Sequence, residues 1–187
     1  MHHIEPFYNW RHLYISEEDE LSPFYRREYS EFAYTNTVYN YFIHPQWDDF
    51  GSDNLYIKIL YADYQFSFAI IEMIGEWNDC IENDIMTLKR EVIDYMISKG
   101  IFKFILITEN VMNFHSSDDC YYEEWRDDVN DKGGWIVMLN MPEHTALEFR
   151  NAHLDQYVHL FENDSWRTLQ PMHLYQHIDN RMLKVIE

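Results

Sequence analysis

The sequence predicts an α/β fold: a mixed sheet of four to six strands, first an antiparallel meander and then parallel βαβ units, preceded by an N-terminal extension. Three observations predict it. Residues 32–75 hold three stretches rich in β-branched and aromatic residues, separated by turn formers. Ile81, Ile85, Leu88, Val92 and Met96 recur at helical spacing between two apolar runs. Helix and strand patterns then alternate through residue 161.

The elements follow in chain order. Residues 1–30 show no clean period and read as an extension, with Phe7, Tyr8, Trp10, Phe24 and Tyr25 expected to pack on the main body. Residues 31–187 read as one domain. Within it, 32–44 ("FAYTNTVYNYFIH") is the first expected strand, and the breaker-rich loop "PQWDDFGSDN" follows. Residues 55–62 and 64–75 are the second and third strands, with Asp63 at the turn between them.

Asp79 and Glu82 have capping-box spacing, so the long helix is expected to start at Asp79. Lys99-Gly100 supplies its stop, because glycine accepts the left-handed conformation there. Residues 101–108 ("IFKFILIT") read as a buried strand running parallel to 64–73 through a right-handed crossover. A second helix is expected over 117–131, where Tyr122, Trp125 and Val129 form the stripe and Gly133-Gly134 the stop. A strand at 135–141 and a helix opened by Pro142 follow. The pattern closes with a short edge strand at 157–161 and a C-terminal helix at 165–186, broken near Pro171.

Composition narrows the function classes. The 187 residues carry 33 acidic and 14 basic side chains, a net charge of −19. That field repels nucleic acid and anionic membrane surfaces, and no Lys/Arg cluster offsets it. Aromatic residues make up 18% of the chain, enough to build a sizeable core. Cys80 and Cys120 form no CxxC, which fits a reduced, cytoplasmic setting. No apolar run approaches the ~20 residues of a membrane span. Neither GxGxxG nor GxxxxGK[ST] occurs, so no nucleotide cofactor is assigned.

Three passages carry a family resemblance: "IIEMIGEWNDCIENDIMTLKREVIDYMISKG", "FILITENVMNFHSSDD" and "GGWIVMLNMPEHTALEFRNAHLDQYVHLF". Over residues 55–161 the chain resembles the STAS domain (sulfate transporter and anti-sigma factor antagonist) in its pattern of elements. The family's serine passage reads Asp-Ser-Ser-Gly before an apolar helix. Here His115 stands in the aspartate's place, Asp118 in the glycine's, and the following helix is acidic. Ser116 matches the serine that is phosphorylated in signalling members. The resemblance implies an interaction module and no enzyme.

The candidate site is built from the same passage. Ser116, Ser117, Asp118 and Asp119 are suited to capping the first turn of the next helix. Ser116 as a regulatory phosphoserine beside His115 is the sharper reading. With Tyr121 or Tyr122 supplying contact area, this segment is the expected face for a protein partner, one that carries positive charge. Glu72 and Glu109 are expected at the carboxyl ends of parallel strands, where α/β sheets collect ligands. With His115 they define the alternative, a small-molecule or metal-binding protein or enzyme. A homodimer covered by the aromatic extension is a third reading. His173 and His177 share a helix face but lack a third ligand, so no metal is assigned. Trp47 and Phe50 in the polar loop are expected to pack back onto the body.

Overall fold

The computed structural model describes residues 4–30 and 32–186. Its centre is a five-stranded sheet. The antiparallel pair β3 (Leu55–Asp63) and β4 (Phe68–Asn78) comes first, then β5 (Lys103–His115), β6 (Trp135–Leu139) and β7 (His159–Phe161). The strands lie side by side in that order, and every pair from β4 onward is parallel. The expected pairing of 101–108 with 64–73 is present, with Phe68 opposite Lys103 and Glu72 opposite Ile107.

The expected strand over 32–44 does not join this sheet. It folds instead into two strands of two residues, β1 (Thr37–Val38) and β2 (Tyr41–Phe42), paired with each other. Tyr39 takes a positive φ of 55° and turns the chain back, which breaks the extended run. The meander therefore has two strands where three were expected. Among the described residues, the outer edge of β3 pairs through the single bridge Asp48–Ile57.

The β3–β4 turn is longer than expected. Asp63 Oδ1 accepts the backbone N–H groups of Gln65 and Phe66, both at 2.9 Å, so residues 64–67 are turn and Phe66 is exposed. At the other end, β4 and β5 continue together as far as Asn78 opposite His115, through two register shifts. Gly75 sits there with φ +124°, and a Cβ on it would lie 2.0 Å from the Asn54 carbonyl oxygen.

The segments Asp84–Leu88, Lys89–Ile93 and Asp94–Ser98 stack end to end as one helix, α1, whose middle part is π-helical. It starts five residues later than expected, because residues 79–83 form a loop in which Ile81 is exposed. Asp79 still serves the helix from a distance: its Oδ1 accepts Ile85 N–H at 2.8 Å. Glu82 is exposed and closes no capping box. The stop is as expected. Gly100 has φ +94°, and Ile101 N–H reaches Met96 O at 3.1 Å while Gly100 N–H reaches Ile97 O at 3.0 Å.

The other helices are α2 (Cys120–Asn130), α3 (Glu143–Asn151) and α4 (Pro171–Ile186). The 3₁₀ turn Trp166–Thr168 precedes α4, so the C-terminal helix is broken at Pro171 as expected.

Both faces of the sheet are covered. On one, Ile71, Met73, Phe104, Leu106, Ile136 and Met138 meet Leu88, Val92, Trp125 and Phe149 from α1, α2 and α3. On the other, Phe68, Ile70, Ile105, Ile107 and Val137 meet Leu174, Ile178 and Met182 of α4, with Trp10 and Trp166. Phe7 and Trp10 therefore belong to the second layer, whereas Tyr14 and Phe24 of the same segment pack on the first. Trp47 and Phe50 are buried, as expected, and Trp47 Nε1 donates to Ile4 O at 2.9 Å.

Candidate functional site

The extended ends of β4 and β5 position the site. Glu76 pairs in register with Asn113, and Asn78 with His115. His115 is solvent-facing and its Nε2 lies 3.1 Å from Glu76 Oε1. Asn78 Nδ2 donates to the same oxygen at 3.3 Å. The Tyr39 hydroxyl donates to the other Glu76 oxygen and accepts from Asn113 Nδ2 at 3.0 Å. The tip of the β1–β2 hairpin is thereby tied to the end of the main sheet. The hydrogen bond to Glu76 pushes the Tyr39 pKa up.

Beneath this rim lies a buried polar knot. Asp79 accepts Tyr122 Oη–H at 2.6 Å, Trp77 Nε1–H at 2.9 Å and the Ile85 amide. Burial raises its pKa to about 6 against the pull of those three donors. Asp84 is also buried, and its Oδ2 accepts Asn78 N–H at 2.7 Å.

The serine passage departs from its expected role. The residue before α2 is Asp119, which makes no side-chain cap bond, and neither Ser116 nor Ser117 hydrogen-bonds through its hydroxyl to any described residue. Asp118 comes nearest to capping, accepting Cys120 N–H at 3.3 Å. Its hydrogen bond with the Cys120 side chain holds the Asp118 carboxyl low. Asp119 is turned toward Tyr157, whose hydroxyl donates to it at 2.6 Å. Ser116 contributes its carbonyl, which accepts from Cys80 Sγ at 2.7 Å. Ser117 and Asp118 are exposed, and Tyr121 is half-buried with Arg90 over its ring at 5.4 Å. Tyr122 is fully buried and offers no contact area to a partner.

Glu72 and Glu109 lie within their strands, short of the ends, because β4 and β5 run on beyond them. They face the second layer. Glu72 accepts Phe7 N–H at 2.7 Å, and burial raises its pKa to about 7, with Glu109 adding to the rise. Glu109 is held by the Arg167 guanidinium and by Trp166 Nε1 at 3.3 Å. His115 meets neither of them; the carboxylate beside its ring is that of Glu76.

Among the described residues one set of carboxylates has metal-ligand spacing: Asp94, Glu124 and Asp128. The fully buried Lys89 side chain already answers them. Its Nζ lies 2.7 Å from Asp128 and 3.4 Å from Glu124, and it also bonds Asp94. His173 and His177 are exposed and join no such group. Sequence reasoning missed Lys89, which the helical period places on the buried side. It also missed Glu76 and Tyr39, which only the fold brings together.

Among the described residues, no helix is long and apolar enough to cross a membrane. No protein-family model matches the chain, and no curated protein does. Solved structures do match the chain, two of them of the same protein. One is a crystal structure of a "putative anti-sigma factor antagonist (tm1081)" from Thermotoga maritima, 22% identical, with a TM-score of 0.43 over 58% of this chain and 86% of that one. The other is an NMR structure of the protein TM1081, 21% identical, with a TM-score of 0.38 over 50% of this chain and 76% of that one. The first carries the class name that the resemblance over 55–161 brought in.

Proposed function

We propose that this chain is a non-catalytic protein-interaction module. Its docking face is the rim at the ends of β4 and β5, and its partner presents lysine or arginine there. One observation carries the reading. Tyr39, Tyr41, Phe42 and Ile81 are 58%, 56%, 49% and 79% exposed around the acidic rim that holds Glu76 and Asp118. Phe32 and Phe66 are exposed elsewhere, at 86% and 46%, but Tyr39 of the rim group is tied to the site itself through Glu76 and Asn113. Exposed aromatics gathered at one place mark interaction surfaces, and tyrosine is favoured at interface anchors. The net charge of −19 attracts a basic partner to the chain as a whole, and exposed Asp118 offers it a carboxylate at this face. His115, Ser117 and Tyr121 supply further polar and apolar contact.

In this reading residues 31–187 act as one domain and 1–30 are an extension, whose Phe7 and Trp10 pack in the second layer. Exposed, unbridged Cys80 and Cys120 fit a reduced compartment such as the cytoplasm.

The test is a pull-down from the source cell with the wild-type chain and a Tyr41→Ala/Phe42→Ala variant, at low and high salt. A basic protein retained by the wild type, lost with the variant and weakened by salt supports the reading. An identical set of retained proteins for both chains overturns it. Gel filtration of the two chains reports whether a second copy occupies the face instead.

A further inference from the structure

The other side of the sheet holds a cleft that the docking reading does not use. It opens where β6 and β7 end, has a volume of about 410 Å³, and has Met141, Ala146, Leu160 and Phe161 in its lining beside a larger polar surface. That size is within the range of small-molecule sites, and its place beyond the carboxyl ends of parallel strands is where open α/β sheets hold ligands. Its walls come from opposite layers. Arg150 comes from the last turn of α3 and Arg181 from α4, and edge strand β7 lies between them.

The two arginines are what single the cleft out. This chain has 33 acidic side chains for 14 basic ones and pairs Arg90 with Glu124 and Arg167 with Glu109. Arg11 and Arg26 also show no carboxylate partner among the described residues, but they lie over Tyr8 and Tyr25 and share no cavity, whereas Arg150 and Arg181 line the same one. Among the described residues, Arg150 makes no ion pair and no side-chain hydrogen bond. Arg181 likewise has no carboxylate partner, although Glu143 and Glu162 line the same cleft. Yet Arg181 is held in place: its guanidinium lies 4.0 Å from the Phe161 ring centroid and donates once, to Glu162 O at 3.3 Å. A guanidinium fixed by its flat face keeps the rest of its N–H fork for a planar acceptor.

We propose that this cleft binds a small carboxylic acid with a flat apolar body. The carboxylate would lie between Arg150 and Arg181, and the body against Leu160, Met141 and Ala146, because the Arg181 guanidinium already covers a face of the Phe161 ring. Glu143 and Glu162 on the rim decide between anions. They cancel the charge of the two arginines, so a monoanion held by both guanidinium forks is tolerated better than a phosphate dianion, which adds twice the charge.

Isothermal titration with sodium benzoate, benzamide and inorganic phosphate at matched ionic strength tests this. Saturable benzoate binding is expected, weakened about tenfold or more in both Arg150→Gln and Arg181→Gln. It should be unchanged in Arg11→Gln, which lies outside the cleft. Both cleft arginines reach solvent, so melting temperatures close to wild type show that the variants are folded; Arg181→Lys retains the charge and loses the fork. Absence of saturable benzoate binding overturns the proposal. So does benzamide or phosphate binding as tightly as benzoate, or benzoate binding that both glutamine variants leave intact. The rim variant Tyr41→Ala/Phe42→Ala should bind benzoate normally, which separates this cleft from the docking face.

Discussion

Phe7 and Glu72 stand 65 residues apart, and the Phe7 amide donates to the Glu72 carboxylate at 2.7 Å in the middle of the sheet. This bond joins the N-terminal segment to the second strand of the central sheet. It also leaves a carboxylate buried on a single strong donor, under Phe7, Trp10 and Trp166, whose rings pack at 4.8 to 5.7 Å.

Stability should therefore fall as pH rises. The Glu72 pKa is raised from 4.5 to about 7, so the folded chain holds this proton more tightly than the unfolded one. The contribution is full below the ordinary value and is lost as pH rises through about 7. Asp48 is raised to about 7 and Asp79 to about 6, both mainly by burial, and both act with the same sign. Thermal melts between about pH 5 and 8 should show decreasing stability. Glu72→Gln should flatten that slope and be the more stable chain at the alkaline end, by on the order of 3 kcal/mol. A parallel slope in the variant would contradict the assignment.

Lys89 should behave as a built-in cation. It links α1 to α2 through Asp94, Glu124 and Asp128, and Arg90 reinforces the link with two bonds to Glu124 at 2.6 and 2.8 Å. Lys89→Ala removes the charge from beneath three carboxylates that lie within 4.8 Å of one another. A loss of about 3 kcal/mol is expected in urea unfolding, the low end for a broken buried pair because the carboxylates still reach water. Millimolar calcium should then raise the melting temperature of the variant and leave the wild type unmoved, because hard cations take oxygen ligands.

Tyr122 should matter for folding and not for binding. Its hydroxyl donates to Asp79 at 2.6 Å inside the buried knot that starts α1. Tyr122→Phe leaves an acceptor short of one donor and should cost about 1–3 kcal/mol, measured by chemical denaturation. Partner retention in the pull-down should be unchanged. Loss of the partner from a folded Tyr122→Phe chain would mean that the rim and the knot are coupled.

The parallel half of the sheet was legible because its signals are local. The Ile85, Leu88, Val92 and Met96 stripe, the Gly100 stop and the apolar run at 104–107 each depend on neighbours in sequence. The start of α1 was misplaced because Asp79 acts across a six-residue gap, whereas a capping box requires three. Residues 32–44 misled because β-propensity reflects fit to a half-buried surface. Tyr41 and Phe42 have the propensity, but their side chains are exposed. Glu72 and Glu109 looked like strand ends because a carboxylate ordinarily marks emergence into solvent. Both are instead answered by groups distant in sequence, Phe7 and Arg167. The two-sided burial of the sheet followed the same rule, since segment 4–30 carries no period of its own.

Tyr39 separates docking from folding most cleanly. Its hydroxyl is the tie between the hairpin tip and Glu76, while most of its ring is in solvent. Tyr39→Phe keeps the ring and removes the tie. Because the ring is exposed and Glu76 retains Asn78 and His115 as partners, the cost in stability should stay below about 1 kcal/mol. The freed hairpin would have to be ordered again on binding, so affinity for the partner proposed above should drop by about three- to tenfold. The loss should appear mainly as faster dissociation in surface-plasmon measurements. A variant that binds as tightly as wild type would remove the hairpin from the docking face and leave only the acidic rim of α2 to hold a partner.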